Sequence, residues 1–540
     1  MALCPSSVPL RIPLPPPPES SLPAVPDPES DRARAASPTV LEDRHEDFEC
    51  LAAAVPHLVA MLLAPEGDPD APDIPTPRSY VEAIIGPYSS QWQTAMDAEM
   101  ASSKSTGTYV NAFPPSGANK VDGMWIFGVK RLPGSPPVFK ARCVARGFSQ
   151  RQGVDFFQTF SPTPKMTTLW VLLHVASQRD YELHCLDFST VFLQGSLHEE
   201  IWLCRPPASL GCFLQVPTLG FPPSTADPSL FLRTNTSLLP FYVLVYVDDL
   251  VFATADTEAL ALVKSEIQKK HTCTDLGELR SYLGLQITRH RARRTITRTQ
   301  SHTVHQVLQR FGFRYSSPQS TPLPTGHSLA ARPSDESIEP SGPYQELVGC
   351  LMYLMTCTRP DLAYPLSILA RYVAPGRHRP EHWEAAKRVL RYLCSTSGMG
   401  LVLGGRGPVV LTGHADASWV DDLATQRSCE AEIYSGAMAA RELRWLTYLL
   451  TDLGERPHSS PVLYVDNKAM IALCQEHRLE HRTKHITLRY FLARELQQRG
   501  QLHLSYVATR ANSANIFIKA LQSGDHQRFC TVLGLMPTLP

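Results

Sequence analysis

The 540-residue sequence predicts a multidomain protein of mixed class, part α+β and part α/β, on three observations. Phe241–Thr254 is a strongly apolar run broken by one pair of aspartates, the pattern of a buried strand pair closed by a tight turn. Residues 430–453 set Ile433, Ala437, Ala440, Leu443, Leu446, Leu450 and Leu453 on one helical stripe between two short strand patterns. A proline-rich leader precedes the patterned region, and the length allows three or four domains with their own cores.

Residues 1 to about 40 include Pro15-Pro16-Pro17-Pro18. Such a stretch buries too little apolar surface to offset its ordering entropy, and reads as disordered or polyproline-like. Residues 64–77 read as a linker, so 1–78 forms a leader and order begins near Ser79. Trp92–Met100 is helical, with Trp92, Ala95 and Met96 on one face. Met124–Lys130 and Val138–Ala145 are strands joined by a turn at Leu132-Pro133-Gly134-Ser135. A helix over 168–178 leads into the strand Leu183–Asp187. Residues 280–298 form a basic hairpin with Arg289, Arg291, Arg293 and Arg294, and a helix then ends at Gly312. A polar loop spans about 315–342, with helices from 344 to 396 around Pro360 and Pro375. The last unit opens on the strand Val409–Thr412. Gly454 stops the long helix. The strand Val462–Val465, helices near 468–476 and 485–499, and the strand Leu502–Val507 complete the chain. No internal repeat is present.

Lysine plus arginine and aspartate plus glutamate number 51 each, so any basic groove is local rather than global. The 13 cysteines form no Cys-x-x-Cys pair, which argues against a zinc module or a disulfide framework. Reduced thiols point to an intracellular protein, cytoplasmic or nuclear. The longest apolar run near the start, Leu51 to Leu63, contains Pro56 and is too short to cross a bilayer, so no membrane partner is expected.

Asp248 and Asp249 lie at a hairpin tip, and Asp187 ends a neighbouring strand. Taken alone, Asp-Asp is ordinary turn chemistry. Carboxylates in so apolar a setting are costly unless a cation compensates them. Three of them at adjoining strand ends match the hard-oxygen set that Mg²⁺ or Mn²⁺ needs for phosphoryl transfer.

The surrounding motifs are specific. They comprise Phe139-Lys140-Ala141-Arg142-Cys143-Val144-Ala145-Arg146-Gly147, Gln158-Thr159-Phe160-Ser161-Pro162 and Leu186-Asp187-Phe188-Ser189-Thr190-Val191-Phe192. Downstream are Tyr246-Val247-Asp248-Asp249, Tyr282-Leu283-Gly284 and Thr358-Arg359-Pro360-Asp361. From about Tyr80 to Gln522 the chain resembles the reverse transcriptase–ribonuclease H region of a copia-type long-terminal-repeat retrotransposon polyprotein. The resemblance implies a right-hand polymerase of fingers, palm and thumb followed by a ribonuclease H-like domain. Fingers and palm would span 79–275, a thumb-like region 276–400, the ribonuclease H-like domain 408–522, and a tail 523–540. Asp187, Asp248 and Asp249 would carry the polymerase metals. Lys140 or Arg142 would pair with the incoming triphosphate, and Phe192 would favour deoxynucleotides by excluding a 2′ hydroxyl. RNA template, DNA primer, RNA–DNA hybrid and deoxynucleoside triphosphates are the implied partners.

A second acidic set follows. Asp416 lies just after a strand, Glu432 in the first turn of the long helix, and Asp466 at the end of Val462–Val465. Singly, Glu432 favours the helix dipole and Asp466 caps the next helix. Together, after a polymerase-like region, they read as the metal carboxylates of ribonuclease H. His485 reads as a surface histidine at a helix start, with a substrate-side group as the alternative.

Three departures from the family pattern point to internal deletions and raise a rival reading, a catalytically inactive remnant with at most nucleic-acid binding. Between Asp187 and Asp248, near residues 207–220, a pocket-forming segment with its helix is missing, which would leave apolar sheet surface uncovered. Only about 16 residues separate Asp416 from Glu432, too few for the two further strands the fold needs there. Asn515 stands where the resemblance expects the last metal-binding aspartate.

Overall fold

The computed structural model describes residues 10–11, 74–77, 79–105, 110–111, 119–121, 123–130, 136–145, 164–188, 202–203, 221–233, 239–271, 273–326, 343–374, 378–417, 428–475 and 492–538. It divides the chain into two compact units, Met1–Ser161 with Phe188–Val216 and Pro162–Asp187 with Pro217–Pro540. The boundaries expected at 275, 400 and 408 therefore fall inside the second unit.

In the first unit, helices α1 (Tyr80–Ile85) and α2 (Ser89–Ser105) precede the hairpin β1 (Gly123–Lys130) and β2 (Val138–Ala145). The Ser79 side chain accepts from the Glu82 amide and starts α1 as an N-cap. Antiparallel pairing runs from Gly123–Ala145 to Lys130–Val138. Alternation along the strands turns Trp125, Phe127, Ala141 and Cys143 onto Trp92 and Met96 of α2. Trp92 meets Phe127 and Phe139 edge-on at 5.3 and 4.7 Å between ring centres, a favourable aromatic geometry. The turn expected at Leu132–Ser135 lies outside the described residues.

The second unit begins with α3 (Met166–Arg179), whose Leu169, Leu172, Leu173, Val175 and Ala176 are buried. Asp180 ends it in the left-handed conformation that short polar side chains tolerate. Five strands then form a sheet: β3 (Glu182–Phe188), β4 (Leu230–Arg233), β5 (Phe241–Tyr246), β6 (Asp249–Thr254) and β7 (Cys273–Glu278). The order across it is β7-β3-β6-β5-β4. Helix α4 (Thr257–Lys270) follows β6. It starts because Asp256 accepts from the Ala259 amide at 2.8 Å, and Lys269 and Lys270 complement its dipole at the far end.

A second sheet contains the basic hairpin β8 (Leu285–His290) and β9 (Thr295–Thr299). Helices α5 (Ser301–Arg310), α6 (Tyr344–Cys357), α7 (Ala363–Leu369) and α8 (Pro380–Ser395) follow, then β10 (Met399–Gly404), which pairs with β9. The third sheet is wholly parallel, β11 (Thr412–Ala415), β12 (Val462–Val465) and β13 (His503–Tyr506). Helix α9 (Ser428–Asp452) crosses between its first two strands, and α10 (Lys468–Gln475) and α11 (Leu492–Gln498) between the last two.

Three expectations need correction. The strand expected at Val409–Thr412 is displaced to Thr412–Ala415: the Leu411 carbonyl still accepts from the Val462 amide at 3.1 Å, but residue-by-residue parallel pairing with β12 starts only at Thr412, while the Val409 and Leu411 side chains pack against the core of the five-stranded sheet. The displacement puts Asp416 immediately after the strand. Residues 523–538, expected as a tail, form helix α12 (Ser523–Val532) and strand β14 (Leu535–Pro537), which pairs with β10. Phe529, Cys530 and Leu535 there bury against Leu401 and Ile516.

The third correction concerns the sheet surface expected to lie uncovered. Tyr242 and Leu244 are 0% exposed, because α3 and the end of α9 cover them. Leu449, Leu450 and Leu453 share that core. Polar contacts fix the helix end: the Tyr242 hydroxyl donates to the Leu453 carbonyl at 2.7 Å, and Trp445 Nε1 to the Ala226 carbonyl at 2.8 Å. Asp452 Oδ2 accepts from the Ser224 hydroxyl at 2.6 Å and from the Thr225 amide at 2.9 Å.

Candidate functional site

The β5–β6 hairpin turns through Val247 and Asp248, so that Asp249 pairs with Tyr246 on one side and with Asp187 of β3 on the other. Val247 has φ +52°, a left-handed conformation that a β-branched side chain enters at a cost of about 1–3 kcal/mol. Burial first, and then the charges of Asp187 and Asp248, push the Asp249 carboxyl up to about 7. Sheet register thus brings Asp187 and Asp249 together, with Asp248 on the turn beside them. The set is looser than a finished ligand cluster, and is absent from the groups of described residues whose ligand atoms lie within 4.8 Å of one another.

Asp416, Glu432 and Asp466 do form such a group. Parallel pairing of Ala415 with Val465 ends β11 and β12 at one level, so Asp416 and Asp466 leave the sheet side by side. The first turns of α9 deliver Glu432 to the same edge. Burial, then Asp416 and Asp466, push the Glu432 carboxyl up to about 7. Burial, then Asp466, also raises Asp416, partly offset by the Lys519 ammonium 3.8 Å from its Oδ2. Asp416 Oδ2 and Glu432 Oε2 are buried without a hydrogen-bond partner. Three crowded hard-oxygen donors with unmet acceptor capacity fit a divalent cation such as Mg²⁺.

A stability measurement checks that fit. A carboxylate raised in the fold contributes stability that is present below its unfolded pKa and lost as pH rises through its folded value. Between pH 5 and 8 the Glu432 contribution therefore declines, by an amount on the order of 1 kcal/mol after solvent screening. The lowered pKa values of buried His174 and His526 act in the opposite sense. The readout is accordingly the difference between wild type and Glu432→Gln in thermal unfolding. In chelator the variant gains on wild type as pH rises to 8, and Mg²⁺ stabilises wild type more.

Asn515 is buried, and its Nδ2 donates to the carbonyls of Asn512 at 2.7 Å and of Thr509. An aspartate could make neither donation and would face both oxygens. Asn515→Asp should thus destabilise the chain by about 1–3 kcal/mol at pH 8 without divalent ions, measured by urea unfolding.

The second compact group, Asp361, His526 and Cys530, is fully buried. Arg359 Nε and Nη2 donate to the two Asp361 oxygens at 3.0 and 2.7 Å, and the Tyr392 hydroxyl adds a bond at 2.6 Å. The carboxylate is already neutralised by a guanidinium, so no charge remains for a metal to compensate. The group is an internal ion-pair network.

Lys140 and Arg142 occupy the exposed face of β2, in the first unit, opposite the strand face that buries Ala141 and Cys143. Phe192, His485 and the segment 207–220 lie outside the described residues. Sequence reasoning missed Lys519, four positions after Asn515, and Asn512, whose Nδ2 donates to the Ala415 carbonyl at 2.9 Å and anchors the strand before Asp416. Their spacing around Asn515 was the available signal.

Comparison with known proteins gives a consistent family. The family described as reverse transcriptase (RNA-dependent DNA polymerase) matches residues 107–212 and 209–325. The retrovirus-related Pol polyprotein from transposon TNT 1-94 of Nicotiana tabacum is 30% identical over 506 residues, 82% of this chain and 38% of that protein. The corresponding polyprotein from transposon RE2 of Arabidopsis thaliana is 30% identical over 523 residues, 86% of this chain and 35% of its own length. A putative transposon Ty5-1 protein of Saccharomyces cerevisiae is 30% identical over 260 residues, 43% of this chain and 83% of that protein. The chain thus spans little more than a third of the two plant polyproteins. Among solved structures, the foamy viral protease-reverse transcriptase in complex with dsDNA aligns at TM-score 0.38 and 12% identity, over 87% of this chain and 94% of that one.

Proposed function

The chain belongs to the reverse transcriptase family of copia-type retrotransposon Pol polyproteins, and from that premise we propose that it performs divalent-metal phosphoryl transfer on nucleic acid at two carboxylate sites. At the first, Asp187, Asp248 and Asp249 serve RNA-directed DNA synthesis on an RNA template and DNA primer. At the second, Asp416, Glu432 and Asp466 serve ribonuclease H cleavage of the RNA–DNA hybrid. The observation that carries the proposal is the convergence of Asp416, Glu432 and Asp466 despite only about 16 residues between the first two. Bound Mg²⁺ or Mn²⁺ would lower the pKa of the attacking hydroxyl or water and stabilise charge on the phosphate.

The chain's own residues supply placement and charge. Asp249 and Glu432, both raised to about 7, hold a proton near neutrality when no cation is present, and give it up to bind one. Strand register sets Asp187 against Asp249, and Asp248 follows the strained Val247 on the turn. Lys140 and Arg142 are proposed to meet the phosphates of a deoxynucleoside triphosphate, with Phe192 selecting against the 2′ hydroxyl. An intracellular setting accords with these substrates.

One observation favours the rival reading of an inert remnant: the Asn515 amide nitrogen donates to local carbonyls, and no carboxylate stands at that position. Primer extension on a homopolymer RNA template with Mg²⁺ decides between them for the first site. Wild type should extend, and Asp248→Asn should fall at least about a hundredfold, as loss of a transition-state charge contact does. No extension above background from a folded sample would establish the inert reading there.

A further inference from the structure

We propose that a basic cavity remote from both acidic sites binds phosphate groups, either those of a nucleic-acid strand or those of a free polyphosphate. The cavity holds about 670 Å³ and is walled by the end of α3, the β8–β9 hairpin, the loop after β10 and the loop after α9. Arg179, Arg294, Arg406, Arg456 and His458 line it, and Glu455 is the one acidic lining residue.

Glu455 does not balance that charge. Arg179 holds it in a two-point contact, Nε to Oε1 at 2.5 Å and Nη2 to Oε2 at 2.7 Å, which consumes one carboxylate and one guanidinium together. Arg294 has a long contact of 3.6 Å to Asp180, but Asp180 already meets Arg289 at 2.7 Å and Arg291 at 3.3 Å. Arg406 gives one bond, at 3.1 Å, to the Ala292 carbonyl, a neutral acceptor. Arg456 has no hydrogen bond or ion pair to another described residue. Arg406, Arg456 and His458 are exposed as well as lining the cavity. In a chain with no net charge, this is a local cationic excess.

Gly405 has φ +111°, and a side chain there would meet nothing within 4 Å, so the loop presents bare backbone at the rim. Guanidinium groups lining a concavity offer planar, bidentate donors that suit phosphate oxygens as well as their charge.

The position separates this cavity from the catalytic proposals. Arg179 precedes β3, whose opposite end carries Asp187, about 20 Å away along a seven-residue strand. His458 likewise precedes β12, and Asp466 follows its other end. The inference rests on the cavity alone, so it stands or falls independently of the metal chemistry above.

The test uses the full chain with two probes, inorganic tripolyphosphate by calorimetry and a fluorescein-labelled oligo(dT) by anisotropy at two salt concentrations. Arg406→Ala/Arg456→Ala removes two exposed side chains and should leave folding unchanged. Arg406→Lys/Arg456→Lys keeps the charge. We expect the alanine pair to weaken at least one probe about tenfold, with partial rescue by lysine. If oligo(dT) is affected, its salt slope should drop by about 1.4, the value for two lost phosphate contacts on a single strand. Loss confined to tripolyphosphate identifies a free polyphosphate and leaves strand binding elsewhere intact. Wild-type affinity for both probes in the alanine pair, or no binding of either by wild type, overturns the proposal.

Discussion

Asp361→Ala is expected to lower the unfolding free energy by about 3–5 kcal/mol, the cost of stripping one partner from a buried ion pair. The size follows from how completely the pair is enclosed. Both residues are 1% exposed, and four of the five guanidinium N–H groups of Arg359 have acceptors on Asp361 and Thr396. Burial alone would raise the Asp361 carboxyl, but the Arg359 charge and the bonds from Arg359 and Tyr392 hold it below its ordinary value. Without the carboxylate the guanidinium keeps a full charge in an apolar interior between α6, α8 and α12. Replacing both members with apolar residues, Arg359→Met/Asp361→Leu, should recover most of the loss, because no orphaned charge remains. Urea unfolding of the full chain reads both. A loss under 1 kcal/mol for the single variant would mean that the network does not hold these helices together. The lowered carboxyl also fixes the pH sense: its stabilisation is present above about pH 4 and is lost as pH falls through the folded value.

The same network shows what local pattern could and could not reveal. The motif Thr358-Arg359-Pro360-Asp361 was visible in the sequence, but its partners Tyr392, Thr396 and His526 come from α8, the residue that ends it, and α12, which no spacing rule connects. The hairpin β1–β2 was legible because alternation is a local property, and its register follows from which face is apolar. The Asp187–Asp249 pairing was legible in kind, since an apolar strand pair with two aspartates at its turn allows few arrangements.

Helix α9 marks the boundary of that legibility. Its stripe of Ile433, Ala440, Leu443, Leu450 and Leu453 gave the helix and the buried face. It did not show that Ile433, Ala440 and Leu443 pack on the parallel sheet while Leu450 and Leu453 enter the five-stranded sheet's core. Periodicity reports burial and is silent on the partner. The acidic cluster behaves similarly. Sequence placed Asp416 and Asp466 at strand ends, whereas their level alignment with Glu432 depends on parallel register and on where β11 begins, three residues later than expected. The tail was misread because Phe529, Cys530 and Leu535 carry too short an apolar pattern to signal a helix and an edge strand.

The sheet surface expected to lie uncovered is covered for a physical reason. A sheet face with Tyr242, Leu244 and Val251 must be covered, and the end of α9 meets it with three leucines and the Asp452 and Trp445 contacts. The chain thereby joins its two acidic regions through one shared core, so changes in one should be felt in the stability of the other.

The central claim is that Asp416, Glu432 and Asp466 form a working phosphoryl-transfer site, and cleavage of a labelled RNA strand in an RNA–DNA hybrid tests it most directly. Glu432→Gln keeps the shape of the side chain and removes its charge, so it isolates the metal-binding role from packing. Cleavage by wild type should require Mg²⁺ or Mn²⁺ and, at subsaturating cation, rise between pH 6 and 8, where the Glu432 carboxyl, raised to about 7 without a cation, gives up its proton to bind one. The variant should lose at least about a hundredfold of that activity, in line with removing a charge that acts at the reacting phosphate. Cleavage equal in wild type and Glu432→Gln, or none from folded wild type across that pH range, would contradict it.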